Sequence, residues 1–128
     1  MAVLVLDSGG LSRLAERSTR GAALHGMLAS EGLWPPVVPS PVLIECLTGQ
    51  AGRDANVNRV LRTCSIVETI SEALARRAAT LRARARRGSA VDALVVASAE
   101  PDGTVLTSDP DDLRALASYS DGVAIEVA

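Results

Sequence analysis

The stretch Gly88 to Glu100, GSAVDALVVASAE, limits the possible folds more than any other. Ser89 reads as a helix cap, and the ten residues after it are almost wholly apolar. A helix that is hydrophobic on every side is a buried one. Asp92 stands near its start, and Val95 and Val96, three and four positions on, share its face. An unpaired carboxylate in such surroundings costs several kcal/mol unless it neutralises or finds a partner. The chain has no lysine, and the arginines nearest to Asp92 in sequence, Arg86 and Arg87, precede the helix. The stretch therefore predicts a central helix whose one acid meets a cation from elsewhere.

A chain of 128 residues, 48% of them apolar, forms a real core, and we read residues 1–128 as one domain. No apolar run reaches membrane-spanning length, and no basic region precedes the short apolar segment at the N-terminus. Neither a signal peptide nor a transmembrane helix is expected, and the expected location is the cytoplasm, with no membrane contact. The net charge of −2 does not advertise a nucleic-acid partner. Its distribution is more informative: all 13 basic residues are arginine, and six fall between Arg76 and Arg87. Cys46 and Cys64 are too few and too far apart for a zinc pattern and read as reduced, buried thiols. The single histidine, His25, excludes a His-rich metal site and reads as a surface or half-buried helix residue.

Along the chain, Ala2 to Leu6 is a continuous apolar run that suits a central parallel strand. Ser8-Gly9-Gly10 reads as a turn, followed by a helical stripe of Leu11, Leu14 and Ala15 and a second helix from Gly21 to Ser30. Val37 and Val38 lie between prolines, which places them on an edge strand or at a strand start. Ser40-Pro41 predicts a capped helix running through VLIECLT to Gly49. A helix around Asp54 to Arg62 leads to the strand-like SIVETI, and Ser71 to Arg87 carries Leu74, Ala78, Leu81 and Ala85 on one stripe. After the Asp92 helix come a strand at Thr104 to Thr107, a helix at Leu113 to Ala117 and a closing strand at Val123 to Val127. Alternating strands and helices predict an α/β fold, a three-layer α/β/α sandwich around a mostly parallel sheet.

In such sheets ligands sit beyond the carboxyl ends of the strands. Asp7 follows one strand, and Asp109 follows another after Thr107 and Ser108. If the starts of the Ser40 and Ser89 helices approach the same edge, Glu45 and Asp92 join them. Four clustered carboxylates raise one another's pKa unless a positive charge sits among them, and Mg²⁺ or Mn²⁺ suits an all-oxygen ligand set. Each acid also has an ordinary use. Asp109 and Asp112, around Pro110, read as a cap and a first-turn acid, Asp7 as a residue bonding turn amides, and Glu45 as a half-exposed margin. Asp92 is the hardest to explain that way. Thr107 and Ser108 read either as partners of the acids or as a strand end and a turn. Arg82, Arg86 and Arg87 belong to a face that is either merely solvated or a contact for an RNA backbone. With only Trp34 and Tyr119 as aromatics, base stacking is not the main grip on a single strand.

The strand ending VLD, the helix PVLIE, the helix VDALVVASA and the segment TVLTSDPDDL together resemble the PIN domain, and most closely the VapC-type toxins of bacterial toxin–antitoxin pairs. The resemblance spans nearly the whole chain. It implies an endoribonuclease dependent on Mg²⁺ or Mn²⁺, with Asp7, Glu45, Asp92 and Asp109 as the acidic quartet and Asp112 as an extra acid. It also implies an RNA substrate, a homodimer and a small antitoxin partner lying across the groove. Two features depart from the family pattern: the pair Gly9-Gly10 replaces bulkier apolar residues, and Leu113 replaces an aromatic. The competing reading is an inactive RNA- or protein-binding module of the same fold. A phosphate-accepting signalling domain fits poorly, because it needs paired acids after the first strand and a lysine later.

Overall fold

A computed structural model describes residues 3–128. Its elements run β1 (Leu4–Leu6), α1 (Ser8–Ala15), α2 (Thr19–Ser30), β2 (Val37–Pro39), α3 (Val42–Cys46) and α4 (Ala51–Leu61). They continue β3 (Ser65–Val67), α5 (Glu72–Ala85), α6 (Ala90–Ser98), β4 (Thr104–Thr107), α7 (Asp111–Ala117) and β5 (Ala124–Val127). All five strands are parallel, in the order β3-β2-β1-β4-β5. α1 packs against α2, α3 and α4, while α5, α6 and α7 pack together as a second group. The result is the expected three-layer α/β/α sandwich.

The apolar run of β1 sits in the centre of the sheet because both of its faces are covered: Leu4, Val5 and Leu6 are all buried. Ala2, the predicted start of that strand, lies outside the described residues. α6 meets the expectation of an all-round apolar helix, with Ala93 to Ala97 buried without a break. β2 is an interior strand between β1 and β3, so the edge alternative fails. Its prolines fall at its ends, where ladder hydrogen bonds are not lost: the carbonyl of Pro36 accepts from Ser65 N, and Pro39 is the last residue.

Three local expectations give way to tertiary contacts. Gly9 and Gly10 are not a turn; α1 starts at Ser8 and runs through both. A Cβ on Gly10 would collide with the Leu106 carbonyl, and one on Gly9 with the Ser108 hydroxyl, so these glycines let α1 lie directly on the end of β4. Their place in the pattern therefore brings the first helix closer to the sheet. α3 stops at Cys46 instead of reaching Gly49, and its N-cap is Pro41, without a side-chain cap from Ser40. Its end is set by Asp54, whose carboxylate gathers Thr48 N, Thr48 Oγ1 and Gly49 N into a turn at 2.8–3.1 Å.

Sheet order decides where a ligand goes. β1 is followed outward by β2 and β3 on one side, and by β4 and β5 on the other. The chain thus reverses direction across the sheet between β1 and β4, and crevices in α/β sheets open beyond the carboxyl ends of such a pair. The register Leu6↔Leu106 sets Asp7 beside Thr107 at that crevice.

Candidate active site

Asp7 directly follows β1 and caps α1. Its Oδ1 accepts from Gly10 N at 2.7 Å, and its Oδ2 accepts from Thr107 Oγ1 at 2.6 Å. The Thr107 side chain is completely buried, and its oxygen also accepts from Asp109 N at 3.0 Å. One hydroxyl therefore fixes both the orientation of Asp7 and the chain path into Asp109. Burial raises the Asp7 pKa, and the Asp92 charge adds to the rise; the hydrogen bonds from Thr107, Gly10 and Gly9 oppose it.

Glu45 is the penultimate residue of the short α3, exposed and without a side-chain hydrogen bond among the described residues. Its pKa is raised by desolvation, then by the charges of Asp92 and Asp7. Residues from three distant parts of the chain thus feel one another electrostatically.

Asp92 corrects the sequence reading most. It is half-buried and already has an ordinary partner: its Oδ2 accepts from Ser89 N at 3.0 Å, and its own N donates to Ser89 Oγ at 3.0 Å. This reciprocal capping box satisfies amides that the first turn of α6 would leave unbonded. The spacing Ser89-x-x-Asp92 was the signal for it. The acid is therefore not an orphan, although its Oδ1 makes no hydrogen bond among the described residues.

Asp109 departs from its capping alternative, whereas Asp112 takes the first-turn position expected of it. α7 begins after Pro110 with no side-chain cap, so Asp109 caps nothing and stands exposed. Asp112 is in the first turn, where it suits the helix dipole, and it pairs with Arg87 Nε at 3.0 Å. Ser108 is exposed and makes no side-chain hydrogen bond among the described residues.

All these positions open on one cleft of about 340 Å³. Its walls are Asp7, Glu45, Asp92, Asp109 and Asp112, together with Thr107, Ser108, Ser8, Gly9 and Ser89. No arginine lines it. Arg82 and Arg86, two of the three arginines considered for RNA, lie away from the walls. Arg82 Nε donates to the Gly88 carbonyl at 3.1 Å, and Arg86 closes α5 in the left-handed conformation. Only Arg87 reaches a wall residue, through Asp112.

The donor set fits a hard divalent cation in kind: it is oxygen only, mutually repelling, and unneutralised at Asp7, Glu45, Asp92 and Asp109. The side chains do not close on one point as they stand. No group of three or more His, Cys, Asp or Glu side chains among the described residues is arranged to hold a metal ion. Glu45 and Asp109, exposed and unbonded, are the two with freedom to rotate.

A second, larger cleft of about 700 Å³ lies at the junction of α1 and α2, walled in part by Arg17, His25 and Arg59. His25 is exposed and stacks on Trp34 with ring centroids 4.0 Å apart. Cys46 and Cys64 are free and half-buried, and burial raises both thiol pKa values, which does not favour the reactive thiolate.

Comparison with known proteins adds no identification: no protein-family model matches the chain, and no curated protein matches it in sequence.

Proposed function

We propose that the acidic cleft is the active site of a metal-dependent endoribonuclease that hydrolyses RNA phosphodiester bonds. The observation that carries this reading is the meeting of Asp7, Glu45, Asp92, Asp109 and Asp112, from five separate elements or loops, in one cleft at the carboxyl edge of a parallel sheet. Asp7, Glu45, Asp92 and Asp109 would hold Mg²⁺ or Mn²⁺, with Asp112 at the margin. The bound ion would supply a nucleophilic water and offset negative charge on the phosphoryl group. Thr107 keeps Asp7 oriented, and burial beside β4 keeps that carboxylate from being fully hydrated. The raised pKa values of Asp7 and Glu45, caused first by desolvation and further by neighbouring carboxylates, support the reading of acids gathered in one cleft.

Its role as the toxin of a toxin–antitoxin pair, acting as a homodimer silenced by a small protein, rests on the PIN-domain resemblance. Co-purification with the product of a short neighbouring reading frame tests it. The nuclease itself is tested by incubating structured RNAs with the purified protein, with Mn²⁺ or with EDTA, beside Asp92→Asn. Cleavage only with the metal and only by the unmodified protein supports the reading. RNA cut at full rate by Asp92→Asn, with contaminating nuclease excluded, removes Asp92 from the mechanism.

One observation favours a second reading, an inactive binding module of the same fold: the capping box gives Asp92 a structural purpose without any metal. That module binds its partner equally well in EDTA and never turns over RNA with Mn²⁺.

A further inference from the structure

The six arginines between Arg76 and Arg87 differ sharply in what they touch. Arg76 pairs with Glu72 at 2.7 Å, and Arg77 forks onto Glu100 at 2.7 and 2.8 Å, both away from the cleft. Arg82 is spent on the Gly88 carbonyl, Arg86 ends its helix, and Arg84 is exposed and makes no side-chain hydrogen bond or ion pair among the described residues. Arg87 alone stands against a cleft wall. Its Nε donates to Asp112 Oδ1 at 3.0 Å, while its two terminal nitrogens donate to nothing among the described residues.

The backbone under Arg87 is fixed from both sides. Arg86 before it has φ 54° and Gly88 after it φ 87°. A Cβ on Gly88 would come within 2.8 Å of Leu116 Cδ1, so the turn is pressed against α7, and Arg82 holds its carbonyl from the other side. An RNA strand approaching five carboxylates meets repulsion until a cation receives its phosphates. Arg87 is the one protein cation paired to a cleft acid among the described residues, and a guanidinium with two free nitrogens matches a phosphate in fork geometry.

We propose that Arg87, presented by the 86–88 turn and steadied by Asp112, is the residue that receives an RNA phosphate at the rim of the acidic cleft. The identity of the ligand rests on the nuclease reading; the placement of Arg87 does not. The other arginines between Arg76 and Arg86 are structural or solvated.

The test compares the unmodified protein with Arg87→Ala, Arg87→Lys and Arg84→Ala, the last removing equal charge from α5, three residues before Arg87. A fluorescein-labelled single-stranded RNA is titrated in Ca²⁺ by anisotropy at several salt concentrations, and cleavage is followed separately in Mn²⁺. Arg87→Ala is expected to bind about tenfold more weakly, the scale of one charge-assisted hydrogen-bonded contact. Its salt slope should fall by about 0.7, the value for one phosphate of a single strand. Arg87→Lys should keep the salt slope but lose affinity, and Arg84→Ala should stay within about twofold, as befits an uninvolved charge. Equal losses in Arg87→Ala and Arg84→Ala reduce the effect to net charge and overturn the proposal, as does no loss in either. Arg87-dependent binding without any cleavage leaves the contact standing and sinks the nuclease reading. No RNA binding by the unmodified protein overturns both.

Discussion

Asp7 and Asp54 expose similarly little surface, at 8% and 5%, yet their carboxyls are pushed in opposite directions. Asp54 gathers the amides of Thr48 and Gly49 and the Thr48 hydroxyl, and these hydrogen bonds hold its carboxyl below the usual aspartate range. Asp7 receives one amide and one hydroxyl, feels Asp92 nearby, and is held above that range by burial. Depth alone does not mark a functional acid. The balance between desolvation and the hydrogen-bond donors supplied decides which way the carboxyl is pushed. Asp54 is enclosed by the turn after α3, which it shapes; Asp7 faces a cleft.

The hardest way to break this contrast is Asp7→Asn. RNA cleavage in Mn²⁺ should fall by more than about 100-fold, since even partners behind a metal ligand account for about 10- to 100-fold. Thermal stability, followed by circular dichroism, should hold or rise. Next in size, Thr107→Val removes the hydroxyl that orients Asp7 and should lower cleavage about 10- to 100-fold, while the folded spectrum is kept. A variant that cuts RNA normally would show that the Asp7 orientation is immaterial.

Asp54→Asn is expected to lower the melting temperature by several degrees, with a smaller loss of cleavage through the turn after Glu45. The sign of its pH dependence sharpens the comparison. The depressed pKa of Asp54 means that its stabilisation is present above the unfolded value, about 3.9, and is lost as pH falls through the folded pKa. The gap between the unmodified protein and Asp54→Asn should therefore close in acid. Asp7 has the opposite sign: its cost is absent below about pH 3.9 and accrues as pH rises toward its elevated folded value. Any advantage of Asp7→Asn should vanish in acid and be largest near neutrality. Melting curves across pH check both, and parallel trends would refute the contrast. The smallest effect is Ser89→Ala, which should destabilise by about 1 kcal/mol through loss of the α6 cap, measurable by urea unfolding.

Local pattern made much of the fold legible. β4 falls at Thr104–Thr107, where the apolar residues between turn signals placed it, and α6 is buried as its all-round hydrophobicity required. α5 begins after Ser71, whose side chain caps it. The candidate acids were nameable from their positions after strands and at helix starts. The role of Asp54 was not, because its partners become visible only when the Thr48–Gly49 turn folds back on α4. The pairing of Asp92 with Ser89 was written in a three-residue spacing and was outweighed by the apolar run behind it.

Periodicity and caps are properties of neighbours in the chain, so the order and kind of the elements followed from residue sequence. Whether Glu45 and Asp92 stand near Asp7, whether Gly9 and Gly10 turn or press a helix onto a strand, and which low-exposure carboxylate is held above the usual range did not. Those outcomes depend on β1 pairing with a strand about a hundred positions away and on how many donors then surround each oxygen. Only the assembled sheet and its two helical layers fix the distances and desolvation that decide them.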